Sequence, residues 1–157
     1  MDTRQRPLAA ILVGGLLAGA LDLTSAFVSY GWNVPKGIAG GLIGPATARA
    51  GGAGIWALGV FLHFFITCAA AAVYWAFSRR LAFLRQNPFV CGLFFGIAVF
   101  LVMNLIVLPL SAIHARGPFP LNGLIQGLLV HMVFVGLPIA YSVSFFEKRA
   151  GLRTGAA

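Results

Sequence analysis

Acidic side chains are scarce. The 157 residues hold three, Asp2, Asp22 and Glu147, against eleven Lys and Arg, and all charged residues together make up 9% of the chain. A soluble domain has about a quarter of its residues charged, so composition excludes an ordinary water-facing surface. Hydrophobic residues reach 60%. A fold of this size cannot hide so much apolar surface from water, so the solvent that meets it is lipid. The net charge of +8 does not indicate nucleic acid as a partner. The basic residues form no stripe. They flank the apolar runs, where Lys and Arg meet phospholipid headgroups.

Cysteine is equally sparse. Cys68 and Cys91 fall in separate apolar runs at different depths, and a disulfide needs Cα atoms within about 7 Å. Both read as small buried hydrophobes, and they carry no information on redox compartment. No GxSxG is present, so Ser25 and Ser111 lack the strained turn that exposes a nucleophile. Nor does any HxxxH or ExxH pair occur, so no single helix presents two metal ligands on one face.

Four long apolar runs occupy residues 8–30, 55–77, 89–110 and 124–146. Each has the roughly 20 residues that crossing a bilayer requires at 1.5 Å per residue. The expected fold is all-α, a single polytopic membrane domain of four spanning helices arranged as two tandem hairpins. Ala18-Gly19-Ala20 has the small-x-small form of a signal-peptide cleavage site. The apolar run continues past it to Val28, so the segment is read as a retained anchor. Residues 31–54 form the longest connection, glycine-rich yet apolar, with Ile38, Leu42 and Ile43 between Pro35 and Pro45. A solvated loop would be more polar, so a short interfacial or re-entrant helix over residues 35–44 is expected, placed to act as a lid. Trp56 at one end of the second run, and Tyr74 and Trp75 at the other, suit interface belts.

Charge orients the bundle. Arg4, Arg6, Arg79, Arg80, Arg85, Lys148, Arg149 and Arg153 share one side, against Lys36, Arg49 and Arg116 opposite. Positive-inside bias then puts both termini in the cytoplasm. The two halves also echo each other. GLLAG at 15–19 parallels GLFFG at 92–96, and GVFLH at 59–63 parallels GLLVH at 127–131. A repeat of two helices per half relates the halves about the membrane normal. The GxxxG spacings let helix backbones approach closely, and Pro109 and Pro138 are expected to kink or end their helices.

Each run carries a polar group at a similar depth: Asp22, His63, Asn104 and His131. They stand six to eight residues from the same-side ends of their runs, a spread of about 3 Å in depth. A charge facing lipid costs roughly 2.5–3.5 kcal/mol on insertion scales, so all four are expected to turn inward and line a polar pocket. Three readings stay open. The groups can pin the bundle by hydrogen bonds. They can bind or conduct a proton, an ion or a small solute without catalysis. Or His63 and His131, with Asp22, can hold a haem or a transition metal. His114, beside Arg116, reads as a solvated or headgroup-facing residue. A structural subunit of a larger complex and a homo-oligomer are further possibilities that the sequence leaves open.

Leu62-His63-Phe64, Met103-Asn104-Leu105, the Leu108-Pro109-Leu110-Ser111-Ala112 turn, Gly136-Leu137-Pro138-Ile139-Ala140 and the glycines at 40–44 together resemble small bacterial inner-membrane proteins of YagU-like layout. The resemblance implies a four-helix protein of the bacterial cytoplasmic membrane. It brings no catalytic residue with it.

Overall fold

A computed structural model describes residues 5–115 and 120–154, with side chains at 7–115 and 120–147. Arg4 and Arg116 lie outside the described residues, as do the side chains of Arg6, Lys148, Arg149 and Arg153. Four helices are long and apolar enough to cross a membrane: Pro7–Tyr30, Ala53–Ser78, Pro88–Leu110 and Leu121–Glu147. They are the first to fourth spans, and the chain is an all-α, multi-pass membrane bundle. The rest of the described chain is turns and short helices, with no strand among the described residues. For each span the starts and ends fall within three residues of those expected from hydropathy.

The first span is the hub. It packs against the second span along one side and the fourth along another, and the third span packs on the fourth. Among the described residues, the second and third spans make no comparable contact. The helices therefore follow the order second, first, fourth, third, and the hairpins meet chiefly through the first and fourth spans. In addition, Trp75 of the second span reaches Glu147 of the fourth, and Tyr74 meets Phe95 of the third at a centroid distance of 4.9 Å. Small residues set these contacts. A Cβ on Gly15 would lie 2.6 Å from Cys68 Cα, and one on Gly19 would lie 2.7 Å from both Phe64 and Thr67. Ala10 and Ala18 are fully buried, and Gly14 lies against Ile139 and Ser142. Gly92, Gly96 and Gly136 let the third and fourth spans cross backbone to backbone. In lipid, where apolar association has no hydrophobic driving force, close packing of this kind holds helices together. Leu12, Leu16, Phe61, Phe65, Phe94, Leu105 and Leu129 stay exposed, as a lipid-facing surface requires.

The first connection is helical, as expected, but in two pieces. Gly31 (φ 82°) ends the first span and Gly44 (φ 88°) separates helix Val34–Ile43 from helix Pro45–Ala50. Both glycines adopt the left-handed backbone that side chains disfavour. Helix Val34–Ile43 lies against the second span, with buried Pro35 seated on Gly59. Trp56 Nε1–H donates to Trp32 O at 2.9 Å, and Trp32 stacks on both Trp56 and Phe27, with centroids 5.0 and 4.7 Å apart. The element expected as a lid is thus fastened at its root. Ala112 N–H donates to Gly41 O at 2.8 Å, tying the third connection to the same helix.

Pro109 and Pro138 act differently from a simple stop. Each is preceded by a π-helical segment, Met103–Val107 and His131–Gly136. A proline ring clashes with the carbonyl four residues back and offers no N–H. The widened turn relieves this: Leu108 N–H reaches Met103 O, and Leu137 N–H reaches Met132 O.

Candidate functional site

Asp22 and His63 meet in the seam between the first and second spans. His63 Nε2 lies 3.0 Å from Gly19 O and 3.8 Å from Asp22 Oδ2. A carbonyl oxygen only accepts, so Nε2 carries the hydrogen. The Asp22 contact is too long for a hydrogen bond and is electrostatic. Both side chains are largely shielded, at 11% and 17% exposure. Among the described residues no other cationic group pairs with Asp22. Gly19 makes the arrangement possible. Without a side chain it brings its carbonyl to the imidazole and leaves room for Phe64 and Thr67.

His131 and Asn104 are placed otherwise. His131 Nδ1–H donates to Gly127 O at 2.8 Å, one turn back on its own helix. Its ring meets the edge of Phe100 on the third span, with centroids 5.6 Å apart. Asn104 Nδ2–H donates to Phe100 O at 2.9 Å, likewise one turn back. In lipid such local bonds satisfy polar groups without an interhelical partner. Gly96 abuts His131 and Met132, and Phe100 abuts Gly127. That antiparallel register sets Asn104 about eight residues from the level of His131, roughly 12 Å. The first span relates the two histidines in depth: Gly14 abuts Ile139 and Ser29 bonds Gln126, which sets Asp22 near the level of His131. The structure therefore brings Asp22 and His63 together, holds His131 near their depth in another seam, and sets Asn104 apart.

No hydrogen bond or ion pair joins the Asp22–His63 pair to His131 among the described residues. Nor does any group of three His, Cys, Asp or Glu side chains converge where one ion could be held, among the described residues. His63 and His131 each have one ring nitrogen engaged by a backbone carbonyl and face different neighbouring spans. Paired ligation of one haem iron does not follow from this arrangement.

Two features lie outside the expected set. Asn104 and His131 both fall inside the π-helical segments, which occur frequently at functional sites. The signal was present in Pro109 and Pro138, but a proline does not specify how its strain is relieved. The second feature is Glu147, at the end of the bundle that carries the termini. It accepts from Trp75 Nε1–H at 3.0 Å and pairs with Arg85 at 3.4 Å. Ser144 Oγ–H donates to Arg85 O at 2.7 Å, and Tyr74 O–H donates to Leu84 O at 2.9 Å. These bonds fasten the second connection to the second and fourth spans, so the scarce carboxylate here is a structural clasp. In comparisons with known proteins, no family, no curated relative and no solved structure matched this chain.

Proposed function

We infer that this chain is a small, non-enzymatic protein of the bacterial cytoplasmic membrane, with both termini cytoplasmic. In this reading it binds a proton within the membrane and passes it on. The observation that carries the reading is the shielded Asp22–His63 pair, 3.8 Å apart in the interior of the bundle. An amide at position 22 would satisfy packing without the cost of a charge in lipid. A carboxylate close to an imidazole is instead a pair of proton-binding groups, and a relay between them requires the 3.8 Å contact to shorten or a water to bridge it. The cation bias, eight on the side of the termini against three opposite, supports the orientation. The echoed glycine and histidine motifs support an origin by duplication of a hairpin.

A structural reading has one observation of its own: the His63–Gly19 bond ties two spans whether or not Asp22 ionises. One experiment separates the two. The full chain is reconstituted in liposomes holding a pH-sensitive dye, and a potassium diffusion potential is imposed. Wild type is expected to acidify the lumen faster than protein-free vesicles, and Asp22→Asn and His63→Gln to return the rate to that background. Unchanged flux in Asp22→Asn, or none in wild type, refutes the proton reading. A Soret band in the purified protein would replace it with haem binding through histidine.

A further inference from the structure

A second candidate site lies at the opposite end of the bundle from the termini. A crevice of about 610 Å³ opens there, lined by Asn33, Lys36, Gly37, Gly40, Arg49 and Ile113 together with Pro45. Its size falls within the roughly 300–1,000 Å³ of small-molecule sites. Two cations line it and no acid does. The two carboxylates among the described residues, Asp22 and Glu147, are engaged elsewhere. Lys36 and Arg49 therefore have no ion-pair partner among the described residues. Apart from Asn33, the remaining lining is glycine, proline and isoleucine, which suits the glycerol and upper acyl carbons of a lipid better than a hydrated ion. Position agrees. Asn33 of the lining directly follows Trp32 of the Trp32–Trp56 stack, and such aromatic side chains sit at headgroup level.

We propose that this crevice binds the headgroup of an anionic phospholipid, with its phosphodiester between Lys36 and Arg49 and its glycerol backbone along Gly37 and Gly40. The fold supports the cradle. Helix Val34–Ile43 is fixed on the second span through Pro35 and Gly59 and on the third connection through Gly41, so Lys36 is presented from anchored backbone. Arg49 is presented from helix Pro45–Ala50, which packs on helix Val34–Ile43 through Ala48 against Gly40. The site does not depend on the Asp22–His63 pair.

The test uses the full chain in a nonionic detergent, titrated with dioctanoyl phosphatidylglycerol, dioctanoyl phosphatidylcholine or inorganic phosphate by calorimetry. Each interfacial cation contributes about fivefold, so the anionic lipid is expected to bind roughly 25-fold tighter than the zwitterionic one. Lys36→Gln with Arg49→Gln should abolish that preference. Gly37→Leu tests the cavity itself. Gly37 lines the crevice and a Cβ there meets nothing within 4 Å, so a larger side chain is expected to occupy part of the crevice and weaken both lipids. Helical circular dichroism verifies folding, and if the double variant fails to fold, Gly37→Leu decides alone. Equal affinity for the two lipids overturns the proposal. So does a preference that survives the double variant, binding unaffected by Gly37→Leu, or inorganic phosphate binding as tightly as the anionic lipid.

Discussion

Replacing Gly59 by alanine tests how the first connection is held. Gly59 sits where helix Val34–Ile43 crosses the second span. A Cβ at this position would run into the Pro35 carbonyl and lie 2.8 Å from Pro35 Cα, where ordinary contact begins at 3.4 Å. The obstacle is backbone, and Pro35 is fully buried, so no rotamer change relieves it. Overpacking of this kind costs about 1–3 kcal/mol, and the absence of a yielding side chain sets the expectation at about 3 kcal/mol. Gly37→Ala, on the same short helix, is the matched control. With nothing within 4 Å of its new Cβ, it should gain up to about 1 kcal/mol from helix propensity. The variants should then differ by more than two orders of magnitude in their unfolding equilibrium, at 1.4 kcal/mol per tenfold. Unfolding by SDS titration in mixed micelles reads this directly, because tryptophan emission follows the Trp32–Trp56 stack. Gly59→Ala with wild-type stability and unshifted emission would mean that the helix is not seated as described, and the lipid crevice would lose its foundation.

Two smaller perturbations probe the seams. Ser142 Oγ–H donates to Ala10 O at 3.1 Å between the fourth and first spans, and interhelical bonds of this kind average about 0.6 kcal/mol. Ser142→Ala should lower stability by about that amount in the same titration, and a loss above about 2 kcal/mol would show that the bond does more than average pinning. Glu147→Gln weakens the clasp with Arg85 and Trp75. With Arg85 32% exposed, the stability change should stay within about 1 kcal/mol, while Trp75 emission shifts to the red. An unchanged spectrum would place Trp75 elsewhere.

The span boundaries were legible because lipid imposes a length and a composition on any helix that crosses it. The short helix after the first span was legible for a related reason: a glycine-rich stretch carrying Ile38, Leu42 and Ile43 is too apolar for water. Its division at Gly44 was not, because a left-handed residue is identified by its φ rather than by its letter. Among the polar residues, Asp22 and His63 could be expected to turn inward, since a charge facing acyl chains is costly. Asn104 and His131, both half-buried, meet the cost of a polar group in lipid by a local bond. A carboxamide or imidazole can satisfy itself on the carbonyl one turn back, and Phe100 O and Gly127 O are used in this way.

Sequence by itself determined that this chain crosses a membrane four times as helices, because the energetics of exposing backbone and charge to hydrocarbon act locally and can be summed along the chain. Tertiary structure alone decided which helices touch. Packing in lipid depends on where small residues on different spans come opposite one another. Gly15 and Gly19 against the second span, and Gly92, Gly96 and Gly136 between the third and fourth, fix a register that no single helix contains. That register places Asp22 beside His63 and sets Asn104 two turns away from His131.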